Sequence, residues 1–350
     1  MSKAPVNGIV LSGGGARGAY EVGVLAGMVD VLGLRPGDVA PFQVYSGTSV
    51  GAINVAFLAA NAHRGNLNID ELVETWSSLN LETHLRMELF GLTGLRQRLF
   101  GRKTVDRGRA LIDPSALENV VRDHISWEQL HRNVDSGIVH SLVVAALRVF
   151  DGQTTLFVET SPSTEFRASR DPRRTAIPSR IDATSVLASA SIPLIFPVRQ
   201  VDGQWYCDGS LRSNTPIAPA LRSGADRIMV VSLLHQDPHR ETPARDQPYP
   251  SPLVLLGKVL NALLLDPVTY DLQVLGRLNR ILGVLDDALG PRSRAKVDAV
   301  TVDARGMPYR QVETLVFSPS QDLGEIAGQH LREMDHIDEL GRLGGWFLRR

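Results

Sequence analysis

Through the first two-thirds of the chain, short continuous apolar runs alternate with segments of helical period. Gly8-Ile-Val-Leu-Ser12 reads as a first strand, followed by glycines and an apolar-periodic helix over 17–32. A second strand near 42–46 gives way to a helix reaching about 62, and a polar helical stretch follows over 70–79. Ser141–Phe150 and Thr154–Glu159 flank Asp151-Gly152, and Pro197–Val201 and Gln204–Cys207 flank Asp202-Gly203. Both are hairpin patterns. Helices over 182–190 and after Pro216 to about 222 lead to Arg227–Leu234, a continuous apolar run suited to a sheet interior. Strands alternating with helices predict a layered α/β/α fold with a mainly parallel central sheet.

Residues 234–252 break this rhythm with five prolines and several charges, which predicts a loop. Beyond it, leucine-rich helical segments at 253–265 and 270–285, a polar connection, a strand-like Val312–Phe317 and a helical tail form a mainly helical extension over 253–350. The extension is either a separate domain or a wrap around the first, and Val312–Phe317, read as an edge strand of the main sheet, favours the wrap.

Composition narrows the function classes. The 350 residues are 43% hydrophobic and 21% charged, as in a globular protein with a substantial core. A net charge of −1 gives no global attraction to nucleic acid. A single cysteine, Cys207, excludes an internal disulfide and argues against a cysteine-based metal site. No run reaches the ~18 apolar residues of a spanning helix, and the N-terminal apolar run is too short for a signal peptide. A cytoplasmic protein is the expectation.

Two glycine motifs carry the chemistry. Gly47-Thr48-Ser49-Val50-Gly51 is a G-x-S-x-G turn between strand and helix, a context that exposes a serine hydroxyl and aims helix N–H groups toward it. Gly13-Gly14-Gly15-Ala16-Arg17-Gly18 matches G-x-G-x-x-G, the dinucleotide pattern. That reading needs an acid at the end of the second strand, where this chain carries the serine turn instead; Asp38 precedes the strand. The glycines are then read as presenting N–H groups to an oxyanion, with Arg17 adding positive charge.

A serine nucleophile needs a base. None of the nine histidines has a convincing setting; in the order of an α/β-hydrolase triad, His235, His330 and His336 come after an acid. Asp208 is the stronger candidate, because it ends a strand at the edge where a layered sheet places its ligand crevice. Cys207 beside it would point away by strand alternation and reads as a buried thiol.

The three motifs together resemble the patatin-like phospholipases, as do Ala188–Pro197 (ASASIPLIFP) and Gly224-Ala225-Asp226-Arg227 before the next strand. The resemblance covers residues 7–233, the expected catalytic domain. It implies a Ser–Asp dyad of Ser49 and Asp208, an oxyanion hole in the Gly13–Gly18 loop, and serine acyl hydrolysis of phospholipid, lysophospholipid or acylglycerol esters. No metal or organic cofactor is needed for such a cycle. Ser210 stands where the family has glycine or alanine after Asp-Gly. A non-catalytic lipid-binding protein and an acyltransferase with a non-water acceptor are the competing readings.

Residues 84–103 interleave Leu85, Leu89, Phe90, Leu92, Leu95, Leu99 and Phe100 with basic side chains. Seven Lys/Arg stand against three acids over 81–109. This predicts either a helix packed on the core or a basic flap for peripheral contact with anionic lipid.

Overall fold

The computed structural model describes residues 4–79, 114–193, 195–235, 252–288 and 291–333. Within these, β1 (Asn7–Leu11), α1 (Gly18–Leu32), β2 (Val44–Thr48), α2 (Val50–Ala60) and α3 (Ile69–Ser78) follow the predicted order closely. Next come α4 (Ser115–Asp123), α5 (Trp127–Asp135), β3 (Ser141–Arg148), β4 (Thr154–Thr160), β5 (Arg174–Pro178) and α6 (Ala183–Ser189). The hairpin β6 (Arg199–Val201) and β7 (Gln204–Asp208), then α7 (Ile217–Arg222) and β8 (Arg227–Val231), complete the first two-thirds. The remainder holds α8 (Pro252–Ala288), α9 (Pro291–Arg305), β9 (Glu313–Phe317) and α10 (Leu323–Glu333).

The described strands form one sheet in the order β5-β4-β3-β2-β1-β8-β9. β3-β2-β1-β8-β9 run parallel, and β4 is antiparallel to β3. Alternation along the central strands divides the core into two layers. Ile9, Leu11, Tyr45, Leu142 and Val144 pack under α1, α2 and α5, while Val10, Val44, Ile228 and Val230 pack under α7 and α8. All eleven residues of α2 are buried, consistent with an almost wholly apolar helix covered on every side.

Three features depart from the sequence reading. The leucine-rich segments at 253–265 and 270–285 are one continuous helix, α8, with Pro267 inside it. The expected polar connection contains α9, which opens on Pro291, whose missing N–H costs nothing at a first helical position. β5 was not expected; its Arg174 and Pro178 mask the strand pattern, and both are tolerated because β5 lies at the sheet's edge.

The C-terminal third is tied to the sheet through β9, which pairs in parallel with β8 from Arg227↔Glu313 to Val231↔Phe317. The Asn279 side chain on α8 donates to the Val312 carbonyl (2.8 Å) and accepts from the Val312 N–H (3.1 Å), fixing the entry to β9. Leu275, one turn earlier, is buried against the face that holds Val10 and Val230. Leu275→Ala is expected to lower stability by about 2–5 kcal/mol, the range for truncating a buried leucine. The check is the midpoint of urea unfolding followed by circular dichroism.

Candidate active site

The site forms where two strand ends meet. β4 occupies one edge of β3, and the other edge is shared. β2 pairs along it in parallel as far as Thr48↔Ala145, and β7 comes from the opposite direction as far as Ala146↔Asp208. The C-terminal ends of β2 and β7 therefore abut at consecutive residues of β3. Ser49 follows the first and Asp208 ends the second.

Ser49 Oγ donates a hydrogen bond of 2.6 Å to Asp208 Oδ2, and both residues are buried. Ser49 has φ 55° and ψ −126°, a conformation that costs a non-glycine residue roughly 1–3 kcal/mol. Its N–H donates to Ser189 Oγ (2.9 Å), whose own hydroxyl donates to the Ala145 carbonyl (2.6 Å), so α6 and β3 together hold the strained turn. Gly47 and Gly51 permit the turn through close approach. A Cβ on Gly47 would run into the Gly51 carbonyl, and one on Gly51 would run into the carbonyls of Leu11, which ends β1, and Ser12 just after it.

Asp208 is held from three directions. Its N–H donates to the Ser191 carbonyl (2.9 Å), and its Oδ1 accepts from the Ser210 N–H (2.8 Å). Burial pushes its carboxyl up to about 6, against the stabilising hydrogen bonds from Ser49 and Ser210. Adjacent Cys207 is buried, and burial together with the Asp208 charge raises its thiol to about 11, so it is no nucleophile at neutral pH.

The glycine loop lies alongside. Gly13 is buried and its N–H donates to the Asn214 carbonyl (3.1 Å); a Cβ there would run into Ser210 Oγ and Asn214 Oδ1. This crowding restricts position 210 to a small residue, which the serine satisfies. Gly14 and Gly15 are half-buried and Ala16 is exposed. Gly15, Ala16 and Arg17 form a short 3-10 turn, and N–H groups that open such a turn lack helical acceptors. Gly18 begins α1, its Cα against Val50 and Trp76.

Behind the loop lies a buried network that sequence reasoning did not find. Glu21 is fully buried on α1; Oε1 accepts from the Ser12 N–H (2.8 Å) and Oε2 from Asn54 Nδ2 (2.8 Å). Asn54 Oδ1 accepts from the Trp76 indole (3.0 Å). The indole and the amide at the two ends are donors only, so both carboxyl oxygens of Glu21 must accept. Desolvation nonetheless raises Glu21 to about 8. In sequence, an acid in a helix's first turn reads as a solvated complement to the dipole; the signal that marks it as buried is its helical spacing to Leu25 and Val29 on the apolar face of α1.

Among the described histidines, His131 bonds Glu159 (2.7 Å) and His235 the Pro319 carbonyl (3.0 Å); the partner of Ser49 Oγ is Asp208. The basic stretch 84–103 lies outside the described residues. Among the described residues, no helix is long and apolar enough to cross a membrane, and no three His, Cys, Asp or Glu side chains converge as a metal site would require.

Residues 9–221 match the family model of the patatin-like phospholipases. The chain belongs to that family. It is 29% identical over 210 residues to a cGAMP-activated phospholipase of Pseudomonas aeruginosa, a match covering 59% of this chain and 53% of the relative. The chain thus spans about half the length of that curated relative. Among solved structures, VipD from Legionella pneumophila aligns over 99% of this chain and 67% of its own, at 12% identity and a TM-score of 0.41.

Because Asp208 has a raised carboxyl pKa in the folded protein, it favours folding fully below its unfolded value near 3.9. That contribution is lost as pH rises through about 6. Asp208→Asn is accordingly expected to gain stability over wild type at pH 8, by up to roughly 3 kcal/mol, with little gain at pH 4. Thermal unfolding at the two pH values checks the sign.

Proposed function

We propose that the protein is a serine lipid acyl hydrolase in which Ser49 and Asp208 act as a dyad. The observation that carries this reading is the 2.6 Å hydrogen bond from Ser49 Oγ to a buried Asp208 carboxylate. In the cycle, Ser49 Oγ attacks the ester carbonyl carbon and its proton passes to Asp208. The resulting oxyanion is met by the N–H groups of Gly14, Gly15 and Ala16, at a stage where losing one such donor costs roughly 3–4 kcal/mol. The C–O bond to the leaving alcohol breaks, and Asp208 returns the proton to that oxygen. Water then attacks the acyl-enzyme, gives its proton to Asp208, and Ser49 Oγ takes the proton back as the acyl bond breaks.

An ordinary aspartate is too acidic for this work, and a carboxyl raised to about 6 is better matched to it while staying largely ionised at neutral pH. The strained Ser49 turn presents the side chain toward Asp208, and the hydrogen bond to that carboxylate holds the hydroxyl at the base. The substrate class, esters of phospholipids, lysophospholipids or acylglycerols, follows the family. Residues 84–103 supply a basic, apolar stretch for peripheral contact with anionic lipid. Flotation with phosphatidylglycerol vesicles, with and without the arginines at 86, 96 and 98, tests that contact.

Ser49→Ala is expected to leave less than about a thousandth of the esterase activity and to abolish labelling by a fluorophosphonate probe. Asp208→Asn should lose about 100-fold to 10,000-fold, the span of a general base. Mass spectrometry of the labelled peptide and turnover of a p-nitrophenyl ester check both. In wild type, kcat/KM is expected to rise with pH and reach half its plateau near pH 6, the deprotonation of Asp208. A flat profile from pH 4.5 to 8 would remove Asp208 as the base.

A further inference from the structure

Three consecutive glycines open the loop over 13–18, a backbone with little stiffness of its own, and Gly15 takes a left-handed conformation (φ 58°). Its N–H groups can serve an oxyanion only where the two ends of the loop hold them. One buried pair of side chains reaches both ends. At the start, the Ser12 N–H donates to Glu21 Oε1 (2.8 Å). At the finish, Asn54 Nδ2 donates to the Gly18 carbonyl (3.3 Å), and the same amide nitrogen donates to Glu21 Oε2 (2.8 Å). Ser12, Glu21 and Asn54 are all fully buried.

We infer that Glu21 and Asn54 are positioning residues for the reaction: they clamp both ends of the glycine loop to the helix that Ser49 caps, and so set where the oxyanion donors stand relative to the nucleophile. The inference rests on the hydrolase reading and adds what fixes its donors. Three observations carry it. Asn54 lies on α2 roughly 7.5 Å along the axis from Ser49, and the burial of the whole helix makes the two one rigid body. The Trp76 indole donates to Asn54 Oδ1 (3.0 Å), which turns Nδ2 toward Glu21 and Gly18 and leaves a flipped amide with a donor facing a donor. Finally, adhesion of α1 to the core is already supplied by Val22, Leu25 and Val29. A buried carboxylate and amide add little to such adhesion, because desolvation offsets their attraction. What an apolar pair of the same size could not supply is an acceptor aimed at Ser12 and a donor aimed at Gly18.

The test compares full-length wild type with Glu21→Gln, which puts an amide donor where both oxygens must accept, and Asn54→Leu, which removes the amide at similar volume. Turnover of a p-nitrophenyl ester is expressed per site titrated with a fluorophosphonate, so unfolded protein does not count. In each variant kcat is expected to fall about 10-fold to 100-fold, the effect of displacing reacting groups by roughly 1 Å, with KM nearly unchanged. A trifluoromethyl ketone, whose hemiketal with Ser49 carries an oxyanion, should lose affinity by the same factor. The pH at half-plateau of kcat/KM should stay at its wild-type value, because the Ser49–Asp208 bond is untouched. The double variant should lose no more than the worse single one, as expected of two parts of one clamp. A merely structural pair would lower the melting temperature and leave per-site kcat and ketone affinity alone. Should neither single variant fold, as judged by circular dichroism, Trp76→Phe decides; it removes the bond that orients Asn54 and should lower both quantities about fivefold, the worth of one hydrogen bond. Folded variants with wild-type kcat and ketone affinity, or with a displaced pH midpoint, overturn the clamp and leave the hydrolase reading standing. A wild type that turns over no ester and takes no fluorophosphonate label overturns the hydrolase reading, and the clamp with it.

Discussion

On the edge of β3 at Ala145 and Ala146, two strands that are distant in sequence point at each other. A parallel sheet aligns its strand ends on one side, so residues from two parallel strands arrive side by side with their neighbours between. Here the antiparallel β7 takes up the edge that β2 leaves, and the two C-termini converge nose to nose. The separation between the hydroxyl of Ser49 and the carboxylate of Asp208 is therefore set by backbone pairing, with little left to loop conformation. Ser189, bonded to the Ser49 N–H and to the Ala145 carbonyl, locks the junction from the helical side.

That arrangement explains why the surrounding residues are small. Gly47 and Gly51 bring α2 onto β1 and β2, and Gly13 leaves room for Ser210 and Asn214. Each side chain removed there brings backbone dipoles nearer the Ser49–Asp208 pair, and the enclosed setting in turn raises the Asp208 carboxyl. Tight packing and an altered acidity are thus two results of one crowding.

Much of this was legible in the sequence because it is local. A serine between glycines at a strand-to-helix change, a glycine run after the first strand, and an aspartate at a strand end are patterns a few residues long. The parallel sheet followed from alternation of apolar runs with helical segments. What stayed hidden is what packing alone creates. Glu21 reads by residue type as a surface acid, although its spacing to Leu25 and Val29 places it on the buried stripe of α1. The covering of α1 by α2 and α3 makes it the hub of a buried network. Ser189 is one small residue in a run of small residues. α9 scatters Val297, Val300 and Val302 among charged residues without a buried stripe to read, and Pro267 hid the continuity of α8.

The parallel pairing of β9 with β8 has a consequence for the integrity of the chain. β8 is buried from Ile228 to Val231, and without β9 its outer row of N–H and C=O groups would be left open beside an apolar face. β9, with Leu315 and Val316 well exposed, is instead the strand that meets solvent. A chain stopped anywhere before residue 313 would keep every residue of the Ser49–Asp208 junction and yet present a sticky, unpaired margin of the kind that recruits other strands. The last third of the sequence thus moves the margin of the described sheet from the buried β8 out to the more exposed β9.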